Sequence, residues 1–410
     1  MASSAIPPHV PSIDGFRGIA ALLVLLFHCW TITDPRLDGA LLRAFTAAAE
    51  LGVDFFFVIS GFVLFLPVVR HEGRFGAIGG YALRRFARIV PAYYVALLAQ
   101  GAARPLLRPG WPTPFTSVAG LGAVAVHLLF LQHEVPQWLF RQLGAEGGGM
   151  GLGVNGALWS LSVEAIFYVA LPLVAARYFR RPALGLALAV AAALAWRLLA
   201  WRLGPVASAV GVAARGAETP RLVGQFPGYL AHFAFGMTGA LAYGAVCRDG
   251  RWSWFRGGDR TSVVVASVAL IAAMVARGEA RSPGAGFYAR YLGDVVVGLV
   301  FASLLTLTAT APGRAQWPFS HRLCRWLGDV SYGVFLWHFP ILLFFSHTLR
   351  WISGGGDGAF ALALLLVTPS SLLFGWLSHR FVEQPAIAWA RRRSQAPEAA
   401  VVEQVRRHRC

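Results

Sequence analysis

The chain is poor in charged residues. Asp, Glu, Lys and Arg make up 13% of its 410 residues, 57% are hydrophobic, and the mean hydropathy is +0.58. An ordinary soluble domain has about 25% charged residues and fewer apolar ones. Apolar runs recur from residue 15 to residue 380 and leave no room for a soluble domain between them. We therefore expect one membrane domain with short tails.

Cysteine is scarce as well. The four cysteines, Cys29, Cys247, Cys324 and Cys410, stand far apart in the sequence. Their spacing matches neither a disulfide framework nor a set of metal ligands. We expect free thiols and no metal site.

Lysine is absent, so all 36 basic residues are arginine and the formal net charge is +17. In a soluble protein this charge would suggest nucleic acid. Here the arginines cluster in alternate segments between the apolar runs, as the positive-inside rule describes. Nucleic acid is therefore not expected as a partner, and the arginine-rich segments are predicted to be cytoplasmic: 70–88, 177–181, 247–260, 311–326 and the C-terminal tail.

Eleven apolar runs are candidates for helices: 15–33, 51–69, 89–107, 117–132, 157–176, 182–203, 222–246, 261–277, 287–310, 327–349 and 358–380. If all eleven runs crossed the membrane, an odd number of crossings would separate 70–88 from the C-terminal tail. The two segments would then lie on opposite sides, although both are predicted to be inside. The run at 89–107 is the weakest, because it contains Pro91, Gln100 and Arg104. We expect it to be re-entrant or interfacial. The prediction is an all-α polytopic membrane protein with about ten transmembrane helices plus one short re-entrant or interfacial helix.

This topology, which we expect in the cell (plasma) membrane, divides the chain into three segments. Residues 1–12 and 386–410 are predicted to be cytoplasmic tails, and residues 13–385 the membrane domain. Segments 133–156 and 203–220 are expected outside, because their charge bias differs from that of the arginine-rich loops. No internal repeat is visible, which argues mildly against transporter folds built from duplicated halves.

The first apolar run carries the sharpest motif, with Asp14, Arg17 and His28 on one helix. At about 100° per residue, Arg17 and His28 return to within about 20° of one face, about 16 Å apart along the axis. Asp14 is placed to hold the guanidinium through an i,i+3 pair. The alternative is that Arg17 is a snorkelling anchor and His28 a helix-packing residue.

Two carboxylates fall inside apolar runs. Asp54 belongs to the block GVDFFFVISGF at 52–62, and Glu164 ends the block LWSLSVE, which also holds Trp159 and Ser160. An intramembrane carboxylate is costly unless it is paired or functional. Ser160, Glu164 and Tyr168 recur every four residues, so they share one inward face. Alternatively, each carboxylate only bonds a neighbouring helix.

Two further blocks carry polar residues into the membrane region. The block RRFARIVPAYY at 84–94 places arginines at the cytoplasmic surface, for anchoring or for phosphate binding. The block LGDVSYGVFLWHFP at 327–340 holds His338, which packs or takes part in the chemistry. A short FVEQP block follows at 381–385.

Together and in this order, the blocks resemble acyltransferase family 3, the membrane O-acyltransferases that modify sugars, polysaccharides and macrolides. The resemblance covers nearly the whole chain. It implies that acyl-CoA, with acetyl or a short chain as the acyl group, is used from the cytoplasm. It also implies that Arg17 and His28 are essential and that the acceptor is a hydroxyl of a sugar, polysaccharide, glycolipid or macrolide.

The resemblance and the residue patterns lead to one site hypothesis. Cytoplasmic arginines hold the CoA headgroup, while His28 acts as general base or as nucleophile. Asp54 accepts the other ring N–H of His28, and Glu164 with Ser160 orients the acceptor away from CoA. Acyl-CoA is a co-substrate, and no cofactor is expected to be bound permanently. The residues assigned to catalysis are His28, Arg17, Asp54 and Glu164, and those assigned to substrate binding are Asp14, Arg84, Arg85, Arg88, Trp159, Ser160, Tyr168, Ser331, Tyr332 and His338.

Two other functions compete with this hypothesis. In a proton-coupled transporter, Asp54, Glu164 and His28 would form a relay and Arg17 would bind an anionic solute. A degenerate, non-catalytic family member would serve as a scaffold, but the presence of both Arg17 and His28 argues against it.

Overall fold

A computed structural model describes residues 6–135, 150–209, 222–249, 260–279 and 292–394. The described part is helical and contains no strand, so the predicted all-α polytopic fold is confirmed. The α-helices, in order, are α1 Pro11–Thr33, α2 Ala40–Ala48, α3 Gly52–Arg70, α4 Ile78–Ala102, α5 Arg104–Leu107, α6 Val118–Leu128, α7 Trp159–Arg180, α8 Pro182–Ala209, α9 Leu230–Asp249, α10 Arg260–Glu279, α11 Gly293–Thr310, α12 Gly313–Ser320, α13 Arg322–Thr348, α14 Arg350–Ser353 and α15 Asp357–Ser378.

Some predictions fall on residues outside the described ranges. These are the centre of the outer segment 133–156, most of 203–220, most of the arginine-rich segment 247–260, and the tail after residue 394. Cys29, Cys247 and Cys324 are free thiols in the structure, whereas Cys410 lies outside the described residues.

Nine helical segments of the described ranges are long and apolar enough to cross a bilayer. They correspond to nine of the eleven apolar runs seen in the sequence: Pro11–Thr33, Ala40–Arg70, Gly156–Arg180, Pro182–Leu203, Phe226–Arg248, Arg260–Glu279, Gly293–Thr310, Arg322–Thr348 and Asp357–Ser394. The two remaining runs, 89–107 and 117–132, behave differently from the prediction.

The run at 89–107 covers the second half of a long helix, α4, and the short helix α5, so it is part of a longer element than the sequence predicted; α4 is not among the nine apolar spans. Helix α4 has 25 residues, a length of about 38 Å at 1.5 Å per residue. The Tyr332 hydroxyl donates to Ile89 O at 2.9 Å, and Gln100 Nε2 donates to Leu336 O at 2.9 Å, so α4 runs parallel to α13. The arginines in its first half lowered its hydropathy and hid its length.

Helix α6, in the run 117–132 that was predicted to span the membrane, has only 11 residues. Its last residues lie beside the middle of α4, because the hydroxyls of Tyr93 and Tyr94 donate to His127 O at 3.0 Å and Leu128 O at 2.8 Å. At about 17 Å, α6 covers only half of a bilayer about 30 Å thick. In the described ranges, α4 runs beside α13 in addition to the nine apolar spans, and α6 is too short to cross a bilayer.

A proline explains why Gln100 is inside a span. Pro340 has no N–H, so the carbonyl of Leu336, one turn earlier in α13, loses its helical partner. Gln100 Nε2 and Asn155 Nδ2 each donate to Leu336 O at 2.9 Å. These amides therefore brace α13 at Pro340 from two neighbouring segments.

Helices α1 and α13 pack in parallel through glycines. A Cβ on Gly18 would lie 2.7 Å from Leu327 Cβ, and a Cβ on Gly328 would overlap the carbonyl of Asp14. Real Cβ atoms would push the helices apart. The backbones therefore touch here, and the register between α1 and α13 is set by this contact.

A bilayer crossing by α4 predicts on which side of the membrane two exposed residues lie. Arg74, after α3, lies at the arginine-rich end of the bundle, which we call the basic end. Thr116 follows α4 and α5 and belongs to the opposite end, where Gly356 N donates to Thr33 O. In a variant without native cysteines, Arg74→Cys should be protected from an impermeant maleimide in intact cells and Thr116→Cys labelled. Labelling of both from one side would contradict the crossing of α4.

Candidate functional site

A cavity of about 60 Å³ opens between α1, α3, α4, α7 and α13. Its walls combine aromatic rings with guanidinium, carboxyl and hydroxyl groups. The polar residues that line it are Arg17, Ser60, Arg85, Arg88, Ser160, Glu164, Tyr168, Ser331 and Tyr332, and its aromatic wall includes Phe56, Phe57 and Phe335. Eight of the fourteen site residues expected from the sequence therefore meet in one place.

Glu164 is held in the cavity wall by two hydroxyl groups. Ser60 Oγ donates to Glu164 Oε1 at 2.7 Å, and the Tyr168 hydroxyl donates to the same oxygen at 2.6 Å. The four-residue spacing of Ser160, Glu164 and Tyr168 does place them on the cavity side of α7. Glu164 shares this cavity with the three arginines, whereas the sequence hypothesis placed it apart from them.

The cavity carries cations that the protein does not fully neutralise. Arg88 Nη1 lies 3.5 Å from Glu383 Oε2, whose side chain is buried. Arg17 and Arg85 have neither a hydrogen bond nor an ion pair to any residue in the described ranges. Three guanidinium groups thus face a cavity in which Glu164 is the one carboxyl group of the lining residues. The surplus positive charge suits an anion, because bidentate contact with phosphate or carboxylate is the strongest pairing of a guanidinium group.

Two histidines lie one aromatic ring beyond the cavity. His28 Nδ1 is 3.1 Å from His338 Nε2. The His338 ring centroid is 5.9 Å from that of Phe335, which lines the cavity. His28 is partly exposed, while His338 is 1% exposed. The pair therefore stands at the far end of the cavity from the arginines.

The predicted contact between Asp54 and His28 is wrong. Asp54 Oδ1 lies 3.0 Å from His232 Nε2, and both side chains are buried. A Cβ on Gly61 or on Gly236 would overlap backbone of the facing helix, so α3 and α9 are in close contact. Asp54 and Gly61 are seven residues apart on one helix face, so this contact turns Asp54 toward α9.

The Asp54 contact belongs to a buried charged cluster that sequence reasoning missed. Asp294 accepts from Arg197 Nη1 at 3.1 Å and from Arg277 Nε. Arg277 Nη2 also lies 3.7 Å from Glu50 Oε1, and His232 Nε2 lies 3.2 Å from Asp294 O. This cluster joins α3, α8, α9, α10 and α11. Asp54 therefore belongs to the contacts that hold these helices together.

Three other expected residues also lie away from the cavity. Asp14 pairs with His9 at 2.7 Å, and although its charge also acts on Arg17, no ion pair between Asp14 and Arg17 forms in the described ranges. Arg84 is exposed on α4. The Trp159 ring packs against His133 and Phe57, with centroids 5.1 and 6.3 Å apart, behind the cavity wall.

The sequence contained signals for two of the missed residues. Ser60 is the one hydroxyl within the apolar stretch 55–62, and Glu383 is a carboxylate in the final motif. The criterion that selected Glu164, a polar group that needs a partner inside the membrane, applies to both. Their partners Glu164 and Arg88 lie on other helices, and no spacing along one helix identifies them.

Comparison with known proteins assigns a family to most of this chain. Residues 10–380 match a family model described as an acyltransferase domain. The chain is 24% identical over 397 residues to peptidoglycan O-acetyltransferase OatA of Listeria monocytogenes, with 92% of this chain and 56% of that protein covered. It is 27% identical over 442 residues to acyltransferase MdmB of Streptomyces mycarofaciens, with 97% and 98% covered. No solved structure matches the chain.

The Asp54 contact generates a stability prediction. Asp54→Asn and His232→Gln should each lower the free energy of unfolding, and the double variant should lose less than the sum. Buried partners in contact couple by about 0.5 to 3 kcal/mol. Unfolding by SDS titration in mixed micelles measures all four proteins. Arg248 and Glu72, 3.6 Å apart at the surface, are a control pair whose coupling should stay at about 0 to 1 kcal/mol. Additive losses at Asp54 and His232 would contradict the contact.

Proposed function

Because the chain belongs to acyltransferase family 3, we propose that it is an integral membrane O-acyltransferase that uses acyl-CoA. The acyl group is acetyl or another short chain. The acceptor is a hydroxyl of a sugar, polysaccharide, glycolipid or macrolide. One relative with a similar sequence is named for O-acetylation of peptidoglycan, a glycan, which supports a sugar hydroxyl as the acceptor.

The three arginines of the cavity carry this proposal. Arg17 and Arg85 face the cavity without an ion pair in the described ranges, and Arg88 stands beside them with Glu383, so that Glu164 offsets only part of the positive charge. CoA bears several phosphate groups, which match guanidinium pairs in charge and geometry. Arginine-rich segments favour the cytoplasmic side, so the donor enters from the cytoplasm, and both termini are cytoplasmic in the plasma membrane.

Acyl transfer then takes place at the end of the cavity where His28 and His338 lie, which we call the histidine end. With the CoA phosphates at the arginines, the pantetheine arm extends along the aromatic wall toward Phe335, and the thioester meets His28. The acceptor oxygen forms a bond to the acyl carbon, the C–S bond breaks, and the acceptor proton reaches the departing sulfur. His28 either carries this proton as general base or takes the acyl group first as nucleophile.

The donor site predicts a contrast between two neighbouring arginines. Arg85→Gln should raise KM for acetyl-CoA by about tenfold to a hundredfold, because hydrogen bonds to charged groups contribute about 1.5 to 3 kcal/mol. Arg84→Gln removes the same charge from the exposed side of α4 and should stay within about twofold of wild type. Transfer of radiolabelled acetyl groups, measured over a range of acetyl-CoA concentrations in detergent, gives both values. Equal effects of the two variants would remove Arg85 from the donor site.

The histidine end predicts loss of turnover without loss of donor binding. His28→Ala should lower kcat by about 10² to 10⁴, the usual contribution of a general base. Acetyl-CoA affinity, measured by isothermal titration, should stay near that of wild type because the phosphates bind at the arginines. A variant with more than half of the wild-type kcat would refute the assignment of His28.

A further inference from the structure

The two histidines at the end of the cavity are each bound to a carbonyl of their own helix. His338 Nδ1 lies 2.9 Å from Phe335 O, and His28 Nδ1 lies 2.9 Å from Val24 O. The rings meet through His338 Nε2 and His28 Nδ1, 3.1 Å apart. Three of the four ring nitrogens therefore have a partner, and the fourth, His28 Nε2, has none in the described part of the chain.

The carbonyls determine where the hydrogens are. A carbonyl oxygen only accepts, so His338 Nδ1 carries the hydrogen that is donated to Phe335 O. In a neutral ring, His338 Nε2 then holds a lone pair. His28 Nδ1 faces this lone pair and Val24 O, which are both acceptors, so it must carry a hydrogen. For two neutral rings, the lone pair of His28 is therefore on Nε2.

Among the residues that the structure describes, no carboxylate orients this pair. In hydrolase triads, a buried carboxylate holds the catalytic imidazole in its tautomer. Here neither His28 nor His338 has an ion pair within the described ranges, and Asp54 is engaged with His232. The neighbours of His28 are the rings of Phe27 and Phe339, with centroids 5.4 and 4.9 Å away. A second imidazole is thus the polar side chain that holds the first one.

The fold keeps the two rings at this distance. Gly18 and Gly328 lie at the close contact between α1 and α13, and each histidine follows ten residues after its glycine. Two parallel helices in contact keep the same register over this length. Gln100 and Asn155 brace the turn of α13 at Leu336, beside His338.

We propose that His338 is a positioning residue for the acyl transfer described above: it accepts from His28 Nδ1 and so presents His28 Nε2 to the acceptor hydroxyl. The inference rests on the proposed function. The acceptor proton moves to His28 Nε2 as the acceptor oxygen bonds to the acyl carbon, the C–S bond breaks, and the proton passes to the CoA sulfur. While the ring is cationic, its Nδ1–H donates to His338 Nε2 and Val24 O. The same lone pair serves if His28 is the nucleophile.

Two substitutions separate positioning from packing. His338→Phe keeps a buried ring but removes the acceptor, and kcat should fall by about tenfold to a hundredfold because the lost bond is stronger to a cationic ring than to a neutral one. KM for acetyl-CoA should remain within about threefold. His338→Gln restores an acceptor oxygen and should reverse at least a third of the decrease in log kcat that His338→Phe causes. Wild-type kcat in His338→Phe, or no recovery in His338→Gln, would overturn the proposal.

A matched control is available in α6. His127 is also buried and bonds the carbonyl one turn back, Ala123 O, at 2.7 Å, but its Nε2 accepts from Leu152 N at 3.2 Å, away from the cavity. His127→Phe should lower thermal stability and leave kcat unchanged. A kcat loss equal to that of His338→Phe would show that any buried histidine has the same effect, which would overturn the positioning role.

A spectroscopic measurement tests the tautomer in the unmodified chain. Solid-state NMR of protein with ¹⁵N-labelled histidine, with His28→Ala used to assign the signal, should show a protonated Nδ1 and an unprotonated Nε2 at His28. A protonated Nε2 at neutral pH would refute the inference even if the His338 variants fail to fold. If His28→Ala itself retains transfer, the proposed function fails. If it is inactive while His338→Phe turns over normally, only the positioning role fails.

Discussion

The close glycine contact between α1 and α13 is the constraint on which the site depends. Between helices in lipid there is little hydrophobic driving force, so small residues that let backbones touch supply the packing energy. Gly18 and Gly328 provide this contact. Because the helices are parallel and in register, residues at equal distances from the two glycines stay together. His28 and His338 meet for this reason, and Ser331 and Tyr332 face the cavity on the same helix.

A second constraint is that backbone carbonyls within the membrane need partners. Prolines create unsatisfied carbonyls, and polar side chains from neighbouring helices compensate. Gln100 and Asn155 do this below Pro340, and the Tyr81 hydroxyl does it for Tyr168 O, which loses its helical partner to Pro172. A polar residue in an apolar run is therefore part of the bundle's internal bonding. Because Gln100 serves this purpose, its presence in the run 89–107 was a poor reason to predict a short segment there.

The spacing of residues along one helix was enough to predict how deep a side chain lies in the membrane and on which face of its helix it lies. The period of Ser160, Glu164 and Tyr168 placed them together, and nine of the apolar runs became long helices at the expected positions. The rotation of one helix against another was not predictable from spacing. Asp54 and His28 have similar depths, but Asp54 turns toward His232 because α3 packs on α9. Hydropathy likewise missed the length of α4, because the arginines in its first half lower the average.

The separation of charge within the cavity gives the proposed reaction its direction. Arg17 and Arg85 repel each other, and Glu164 offsets only part of their charge, so a phosphate group bound there relieves the repulsion as well as pairing with the guanidinium groups. The wall that leads away from them is aromatic and ends at Phe335, beside the His28–His338 pair. Under the proposed function, the phosphates of the donor stay at these arginines, the neutral thioester arm reaches the imidazole, and the acceptor approaches from the opposite end of the bundle.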